Sequence, residues 1–435
     1  MSETAVELTV DAIAAGGSGV GRTAAGQVVF LPRTAPGDRV VAELTERHRR
    51  WARGRVIEWL GTGPGRVEPP CPIFETCGGC RLQHLDAASQ AAALERVVAD
   101  ALERIGGRRV PVRPIVTAGP RLGYRNRVSF TLRRAGEAVQ AGYHAERGPG
   151  LVDVERCLLG EPAIAEAWME LRGAWGPGAR LLPAGRELRL TLRATAGGAV
   201  GLLVEGGEPS PDSAARAAAL LDGAPAVGCY WWAPTRSDPL HMGGRELLDE
   251  PWDGLALRLR PRAFLQVNRH VAAEIERHLD RGLMPVKGLA VLDLYAGVGS
   301  RAIRWAGAGA ATAAVERERD AVETGRDAAA RAGVETRLLH GSVERALEDL
   351  GPADAVVVNP PRAGLSPDAV ARLAAYPASR LAYVSCDPAT LARDVKRLAP
   401  GWSPDFAQPF DAFPHTGHVE TVLWMDRAPG AEGGR

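Results

Sequence analysis

The chain of 435 residues is long enough for two or three domains of about 100–200 residues each. Hydrophobic residues make up 46% and charged residues 24%, which is the balance of a soluble globular protein. Because 53 Lys and Arg residues face 52 Asp and Glu residues, the formal net charge is +1. This excludes a uniformly basic nucleic-acid coat and leaves room for a local basic surface.

We expect neither a secretory signal nor a membrane span in this protein. Its N-terminal residues lack a basic start followed by an apolar core, and no apolar run reaches the roughly 18 residues of a transmembrane helix. We therefore expect a cytoplasmic, monomeric protein with no membrane partner, whose six cysteines stay out of disulfides. Clustered cysteines in such a compartment indicate metal binding or catalysis.

Residues 1–62 have the pattern of a small closed β-barrel. Turn residues such as Gly16 and Gly17 separate short strands predicted at 6–10, 27–31, 39–44 and 53–59. Five arginines surround Trp51 in the sequence: Arg47, Arg49, Arg50, Arg53 and Arg55. Arginines neutralise phosphates and an aromatic ring stacks on a base. The segment therefore predicts either an RNA-binding surface or an ordinary solvated face.

Residues 63–260 predict an α+β central domain. A cysteine cluster at 71–80 precedes a helix at 87–106, whose apolar residues recur at helical spacing. From residue 110 to 259 the pattern is mostly that of strands, for example at 127–132, 189–192 and 200–204, with a helical interruption at 214–221.

From residue 261 onward, short apolar runs alternate with helical patterns. The runs lie at 289–294, 311–315, 355–358 and 381–385. Strands that alternate with helices are typical of a doubly wound parallel sheet, so residues 261–435 predict a Rossmann-like domain.

Three cysteines lie close together at Cys71, Cys77 and Cys80, and Gly78 and Gly79 let the backbone wrap around a bulky centre. Thiolates bind zinc or iron–sulfur clusters. A zinc ribbon brings two Cys-x-x-Cys pairs, whereas this segment has one pair and one separate cysteine. With the remote Cys157 as a fourth ligand, the set favours a cubane iron–sulfur cluster. Buried thiols without a metal are the alternative.

A glycine-containing loop follows the apolar run at 289–294 and opens a helix, where glycines let a ligand approach the backbone. With Gly297, Gly299 and Ala302 it fits the Gly-x-Gly-x-x-Ala pattern of dinucleotide sites, although an ordinary tight turn would look the same. A carboxylate at Asp293 would repel a pyrophosphate and attract the ammonium of a methionine moiety. Glu316 ends the next strand, where an acid bonds ribose hydroxyls. The pair favours S-adenosylmethionine over NAD.

Two further segments follow predicted strands and place reactive groups at the carboxyl edge of the sheet. Asn359 follows 355–358, and Cys386 follows 381–385 just before a helix at 389–398. The helix N-terminus is expected to lower the pKa of the Cys386 thiol and favour the thiolate. A buried cysteine packed under the helix is the alternative. Glu420 precedes a last apolar strand, where it is either a base or an ordinary strand-edge acid.

Taken together, these motifs resemble the RNA uracil-5-methyltransferase family, in particular its bacterial members with a TRAM domain and an iron–sulfur cluster. The motifs occur in the family's order along nearly the whole chain: Tyr124-Arg-Asn126-Arg127, Phe264-Leu-Gln266-Val-Asn268, Ser385-Cys386-Asp387-Pro388 and His418-Val-Glu420. The resemblance implies a multidomain α/β protein. Its parts are an OB-like TRAM barrel at 1–62, a central domain at 63–260 and a class I methyltransferase domain at 261–435. It also implies that Cys71, Cys77, Cys80 and Cys157 hold a 4Fe–4S cluster.

The resemblance also implies site roles. Cys386 would be the nucleophile, Glu420 the general base and Gln266 a contact of the methyl donor. The other residues expected to bind the donor are Asp293, Tyr295, Gly297, Gly299, Ser300, Glu316, Ser342 and Asn359. Three of these depart from the family pattern: Ser300 stands where Asn is usual, Ser342 where an acid is usual, and Asn359 where Asp is usual. The departures concern donor affinity or rate more than the type of reaction.

The implied activity is methyl transfer from S-adenosylmethionine to C5 of a uridine in structured RNA, through a covalent adduct between Cys386 and C6. Ribosomal 23S RNA is favoured as substrate, and transfer RNA is the nearer alternative. Asn359-Pro-Pro is also similar to the motif of exocyclic-amine methyltransferases, which place an aromatic residue where Arg362 stands and need no cysteine. A catalytically weak RNA-binding protein is the remaining alternative.

Overall fold

The computed structural model describes residues 5–235 and 238–428. Its N-terminal part is a closed barrel with the strand order β1-β2-β3-β5-β4. The strands are β1 (Ala5–Ile13), β2 (Gly19–Arg22), β3 (Val28–Leu31), β4 (Arg39–Arg47) and β5 (Trp51–Gly61). Alternate side chains point inward and form an apolar core that includes Leu8, Val29 and Val40. The predicted barrel is confirmed.

Strand β2 contains Gly19 and Gly21, two glycines at which the sequence predicts a break between strands. A Cβ atom at Gly19 would lie 2.0 Å from Thr34 Oγ1, and one at Gly21 would lie 2.4 Å from Thr9 O. Glycine occupies these positions because strand β1 and the loop after β3 approach too closely for a side chain.

The chain from residue 62 to 260 contains a seven-stranded sheet with the order β12-β11-β10-β9-β6-β7-β8. The elements are α1 (Ala87–Arg104), β6 (Arg127–Ala135), β7 (Ala138–His144), β8 (Leu151–Asp153), α2 (Pro162–Ala174), β9 (Glu187–Ala194), β10 (Val200–Glu205), α3 (Ser213–Gly223), β11 (Val227–Ala233), β12 (Leu240–Gly244), β13 (Leu248–Trp252) and β14 (Leu255–Leu259). Neighbouring strands are antiparallel except for β10 and β11. Strands β13 and β14 form a separate hairpin whose turn, Asp253-Gly254, has positive φ at both residues.

The remaining chain alternates helices and strands, as predicted. The elements are α4 (Arg269–Leu283), β15 (Ala290–Leu294), α5 (Ser300–Gly307), β16 (Ala311–Glu316), α6 (Arg319–Ala332), β17 (Arg337–His340), α7 (Val343–Asp349), β18 (Ala355–Val358), α8 (Pro367–Ala375), β19 (Arg380–Ser385), α9 (Pro388–Leu398), β20 (Trp402–Phe410) and β21 (Glu420–Arg427). Strands β15 to β18 pair in parallel, and helices follow them in the manner of a doubly wound sheet. None of the helices within the described ranges is both long and apolar enough to cross a membrane.

The chain divides into two compact units. The first runs up to Thr117 and includes Pro361–Leu365 and Tyr383–Ala428, and the second includes Ala118–Pro360 and Ser366–Ala382. In the second unit the strand order is β17-β16-β15-β18-β19. Strand β19 continues into the first unit, where the order is β19-β21-β20. The domain boundaries at residues 62 and 260 stay predictions from the sequence.

Candidate active site

In the second unit, a tight loop joins β15 to α5. Tyr295, Gly297 and Gly299 all have positive φ, at 59°, 59° and 69°. This conformation is strained for Tyr295, which carries a side chain. A Cβ atom at Gly299 would also lie 2.7 Å from Leu338 Cδ2. The loop therefore needs its glycines, and its backbone is open to close approach by a ligand at the start of α5.

The Glu316 carboxylate is fixed at the same edge of the sheet as this loop. Its Oε2 accepts from the Gly297 N–H at 2.8 Å, and its Oε1 accepts from the Arg317 N–H at 2.7 Å. Asn359 follows β18, and its N–H donates to Leu294 O at 3.1 Å. The carboxyl ends of β15, β16 and β18 thus bring together Glu316, Asn359 and the loop.

Asp293 is buried just below this loop. Its Oδ1 accepts from Arg301 Nη1 at 3.1 Å, whereas its Oδ2 is buried without a hydrogen-bond partner. Burial raises the pKa of Asp293 to about 6, although the Arg301 guanidinium acts in the opposite direction. Arg301 also pairs with Glu276 at 2.7 Å and is itself nearly buried. The site therefore holds a carboxylate oxygen that lacks a donor, and Arg301 is a neighbour that sequence reasoning missed.

The segment that carries Gln266 is held by Asn126. The Asn126 N–H donates to Val267 O, and its Nδ2 donates to Gln266 O, both at 2.9 Å. Asn268 caps α4 by accepting from the Val271 N–H at 3.2 Å. Leu265 packs in the same apolar cluster as Val298 of the loop between β15 and α5. Two of the three asparagines in the chain thus position the Gln266 segment.

The two serines that depart from the family pattern lie at helix starts. Ser300 is the first residue of α5 and is half-buried. Ser342 caps α7 by accepting from the Arg345 N–H at 3.4 Å. The nearby Glu344 accepts from Ser366 Oγ at 2.6 Å, and this hydrogen bond lowers the pKa of Glu344. An acidic group therefore stands two residues beyond the position where the family carries one.

In the first unit, Cys386 lies in a short turn between β19 and α9. The Ser385 hydroxyl accepts from the Asp387 N–H at 3.2 Å and donates to Asp387 O at 3.1 Å, which folds the backbone around the half-buried cysteine. Asp387 caps α9 by accepting from the Thr390 N–H at 2.7 Å, and Pro388 begins the helix.

The expectation of a lowered pKa at Cys386 is wrong. Burial raises the pKa of the Cys386 thiol, and the negative charges of Glu420 and Asp387 raise it further. The Arg362 guanidinium opposes this by its charge and by a hydrogen bond to the thiol. In the sequence, Arg362 is the residue after two prolines, at the position where exocyclic-amine methyltransferases place an aromatic side chain. The spacing of the motifs does not predict that Arg362 contacts Cys386.

Glu420 is the first residue of β21 and is only 2% exposed. It pairs with Phe410 of β20 in the ladder, and its charge acts on Cys386. The chain just before it is held at His415, whose carbonyl accepts from the N–H groups of Arg81 and Leu82 at 3.0 and 2.9 Å. The structure therefore brings the predicted nucleophile and the predicted base close enough for the charge of one to act on the other.

The buried Gln90 side chain of α1 makes three hydrogen bonds, two of which fix the same loop at His415. Its Oε1 accepts from the His415 N–H at 3.0 Å. Its Nε2 donates to Leu85 O at 2.8 Å and lies 3.3 Å from His415 Nδ1. Gly417 follows, and a Cβ atom there would lie 2.7 Å from the carbonyl carbon of Gly16. The loop before Glu420 is thus fixed against the barrel and α1.

The cysteine segment 71–80 is the predicted metal site of the chain. Cys77 is buried, and its Sγ accepts from the Gly79 N–H at 3.4 Å, a bond typical of ligand thiolates. However, among residues 5–235 and 238–428 no group of three or more His, Cys, Asp and Glu side chains is arranged to hold a metal ion. Cys157 belongs to the second unit, where Tyr143 Oη donates to its Sγ at 3.8 Å. Three thiols within ten residues are nevertheless a donor set of the kind that binds an iron–sulfur cluster.

The arginines around Trp51 lie on and next to β4 and β5 of the barrel. His48 stacks on Trp51 with the ring centroids 4.0 Å apart. Arg55 pairs with Glu43 at 2.6 Å, and Arg53 pairs with Glu46 at 3.4 Å. The other three arginines of the cluster are exposed: Arg47, Arg49 and Arg50.

The closed barrel and the parallel sheet with its glycine loop are the parts expected of a methyltransferase with a TRAM domain, and comparison with known proteins identifies the family. Residues 343–428 match the model of the tRNA (uracil-5-)-methyltransferase family, and residues 4–57 match that of the TRAM domain. The 23S rRNA (uracil(1939)-C(5))-methyltransferase RlmD of Chromohalobacter salexigens is 33% identical, over 98% of this chain and 90% of the relative. An uncharacterized RNA methyltransferase of Gloeobacter violaceus is also 33% identical, over 97% of this chain and 96% of the relative.

Among solved structures, the tRNA (uracil-54, C5)-methyltransferase of Pyrococcus abyssi, crystallised with S-adenosyl-L-homocysteine, has a TM-score of 0.71 and 26% identity to this chain. The match covers 96% of this chain and 99% of that one. The chain therefore belongs to the RNA (uracil-C5)-methyltransferase family and is an RNA methyltransferase. The family resemblance predicted from the motifs is confirmed.

Proposed function

We propose that this protein transfers a methyl group from S-adenosylmethionine to C5 of a uridine in structured RNA, in the cytoplasm. The observation that carries the proposal is that the carboxylate of the buried Glu420 acts by its charge on the Cys386 thiol. Ribosomal 23S RNA is the favoured substrate because two relatives with 33% and 30% identity are 23S rRNA methyltransferases. Transfer RNA is the alternative, because the structure from Pyrococcus abyssi is that of a tRNA enzyme.

The residues of the second unit suit S-adenosylmethionine. The buried Asp293 Oδ2 lacks a donor, and the ammonium of a methionine moiety would supply one. Glu316 Oε1 accepts from the N–H groups of Arg317 and Glu318, whereas Oε2 accepts from the Gly297 N–H and retains a lone pair for a ribose hydroxyl. When bound, the donor supplies an electrophilic methyl group on a sulfonium. We propose that it is held by Gln266, Asp293, Tyr295, Gly297, Gly299, Ser300, Glu316, Ser342 and Asn359.

The residues of the first unit suit chemistry at a pyrimidine ring. Uracil C5 is a poor nucleophile, so we propose that Cys386 Sγ adds to C6 and makes C5 an enolate carbon. C5 then takes the methyl group, and the Glu420 carboxylate removes the C5 proton. The C6–S bond breaks, and Cys386 leaves as the thiolate. The products are 5-methyluridine, S-adenosylhomocysteine and one proton, so atoms and charge balance.

The raised pKa of Cys386 places a demand on this route, because the attacking species is the thiolate. Arg362 meets part of that demand by stabilising the negative sulfur. A uridine inside folded RNA must also leave its stack to reach the thiol, which favours an unpaired target.

A 4Fe–4S cluster is a further part of the proposal. It is supported by the donor set of three thiols within 71–80 and by the N–H bond to Cys77. The assignment of Cys157 as fourth ligand remains a prediction from the sequence pattern. No catalytic step is routed through the cluster.

The test of the proposed function is turnover on RNA transcripts that carry tritium at uracil C5. Methylation at C5 releases this label to water, whereas methylation of an exocyclic amine retains it. We expect release with the native protein and at least a thousandfold loss with Cys386→Ala, because the nucleophile is removed.

Cys229→Ala is the matched control, since Cys229 lies buried in β11 of the second unit and should leave turnover in place. Normal turnover by Cys386→Ala would contradict the covalent route. Methyl transfer without tritium release would contradict C5 as the target.

A further inference from the structure

The loop Pro361–Leu365 is attached to one fully buried carboxylate, that of Asp394 in α9. Asp394 is 0% exposed. Its Oδ2 accepts from the Leu365 N–H at 2.8 Å and from Tyr383 Oη at 2.9 Å. A buried carboxylate is costly unless donors satisfy it, so these bonds fix the loop firmly to the helix.

Two arginines of α9 complete the attachment. Arg393 Nε donates to Asp394 Oδ1 at 3.0 Å, and its Nη2 donates to Ala363 O at 2.7 Å. Arg397 Nη1 donates to the same Oδ1 at 3.1 Å and to Leu365 O at 3.2 Å. Asp394 thus orients two guanidinium groups that in turn bind backbone carbonyls of the loop.

Gly364 lets the loop come this close. Its φ is 77°, and a Cβ atom there would lie 2.3 Å from Asp394 Oδ2 and 2.4 Å from Thr390 Cγ2. Any side chain at this position would push the loop away from α9.

Arg362 lies in this loop, next to the residues that Asp394 and its arginines bind. The Arg362 side chain is exposed, yet its guanidinium contacts the Cys386 thiol. An exposed arginine has many rotamers to lose, so a fixed backbone is needed to keep it at the sulfur. We propose that Asp394 is a positioning residue that holds the Pro361–Leu365 loop so that Arg362 stabilises the Cys386 thiolate.

The role of that thiolate as the nucleophile rests on the proposed function, whereas the contact itself does not. The charged groups that face Cys386 are Arg362, Glu420 and Asp387. Those that face Asp394 are Arg393 and Arg397, together with the Tyr383 hydroxyl.

The sign of the effect separates positioning from a through-space charge effect. Removing the negative charge of Asp394, with all else in place, would lower the pKa of a nearby thiol. Moving the Arg362 guanidinium away from the sulfur would raise the pKa of the Cys386 thiol. In Asp394→Asn the new amide NH2 would meet partners that donate, so the attachment breaks and we expect the pKa to rise by about one unit.

The experiment measures alkylation of Cys386 by iodoacetamide against pH in the full-length protein, with the Cys386 peptide quantified by mass spectrometry. Only the thiolate reacts, so the midpoint gives the thiol pKa whether or not the protein methylates RNA. We expect Asp394→Asn, Gly364→Ala and Arg362→Gln each to raise the midpoint by a similar amount. The double variant Asp394→Asn/Arg362→Gln should add no further shift.

Asp100→Asn is the matched control, because Asp100 makes only exposed ion pairs on α1, and it should leave the midpoint in place. A lowered or unchanged midpoint in Asp394→Asn, beside a raised one in Arg362→Gln, would overturn the proposal. Should Asp394→Asn not fold, Gly364→Ala decides the matter, since it displaces the loop and leaves every charge in place. Failure of RNA methylation with the expected midpoints would contradict only the proposed function.

Discussion

The surroundings of the Asp293 side chain determine the charge of its carboxyl group. Burial raises its pKa to about 6, while Arg301 partly opposes the shift. At pH 7 the group is therefore mostly ionised, and at pH 5 it is mostly protonated. A protonated carboxyl group no longer attracts an ammonium, so the state of Asp293 should control donor binding in the pH range just below neutral.

We expect the affinity for S-adenosylmethionine to fall about tenfold between pH 7.5 and pH 5, because the protonated fraction of Asp293 rises through its pKa over that interval. Calorimetric titration at the two pH values measures the effect. Asp293→Asn should bind weakly at both values and lose most of the pH dependence. Asp327→Asn, an exposed change on α6, should keep it. Equal affinity of the native protein at both pH values would contradict the role of Asp293.

Individual residues also show where sequence reasoning stops. The strand-end position of Asp293 was predictable from an apolar run followed by glycines. The raised pKa of Cys386 was not, because it depends on Glu420 and Arg362, which only the fold brings to the sulfur. The helix N-terminus, the one feature visible in the sequence, predicted the opposite direction.

The predicted strands of the parallel sheet are confirmed. They could be predicted because each is a short apolar run between helical patterns. The sequence predicts mostly strands where helix α2 lies, although Ile164, Trp168 and Leu171 are buried at helical spacing. The helical pattern of this one segment is weak in comparison with the strand patterns on either side of it. The loop before Glu420 has no periodicity at all, and its position depends on hydrogen bonds from α1 and the cysteine segment.

The thiols of the cysteine segment 71–80 are the ligands proposed for a 4Fe–4S cluster. Protein purified without oxygen should contain about four iron and about four sulfide per chain, and Cys77→Ser should lose both. Because Arg81 and Leu82 bind His415, we also expect Cys77→Ser to lower the thermal midpoint by several degrees. Iron and sulfide analysis with a thermal melt provides the measurement.

Cys229→Ser is the control for this change, since Cys229 lies in β11, apart from the motif at 71–80. It should keep its iron. A native protein that contains no iron or sulfide under these conditions would show that the thiols serve another purpose.

Because the net charge of the chain is near zero, RNA binding cannot depend on electrostatic attraction between the RNA and the protein as a whole. Many arginines are already paired with acids, as Arg53 and Arg55 are in the barrel. Affinity should therefore depend on small sets of arginines that extend into solvent. The turn between β4 and β5 carries such a set, which includes Arg49 and Arg50.

We expect the double variant Arg49→Ala/Arg50→Ala to bind structured RNA more weakly and with a smaller salt dependence. Each lost phosphate contact reduces the slope of log K against log salt by about 0.7 to 0.9. Fluorescence anisotropy on one transcript at several salt concentrations gives this slope. Arg319→Ala/Arg331→Ala removes the same charge from α6, where both arginines are paired with acids, and should change neither quantity. An equal loss in both double variants would mean that total charge, rather than this turn, attracts the RNA.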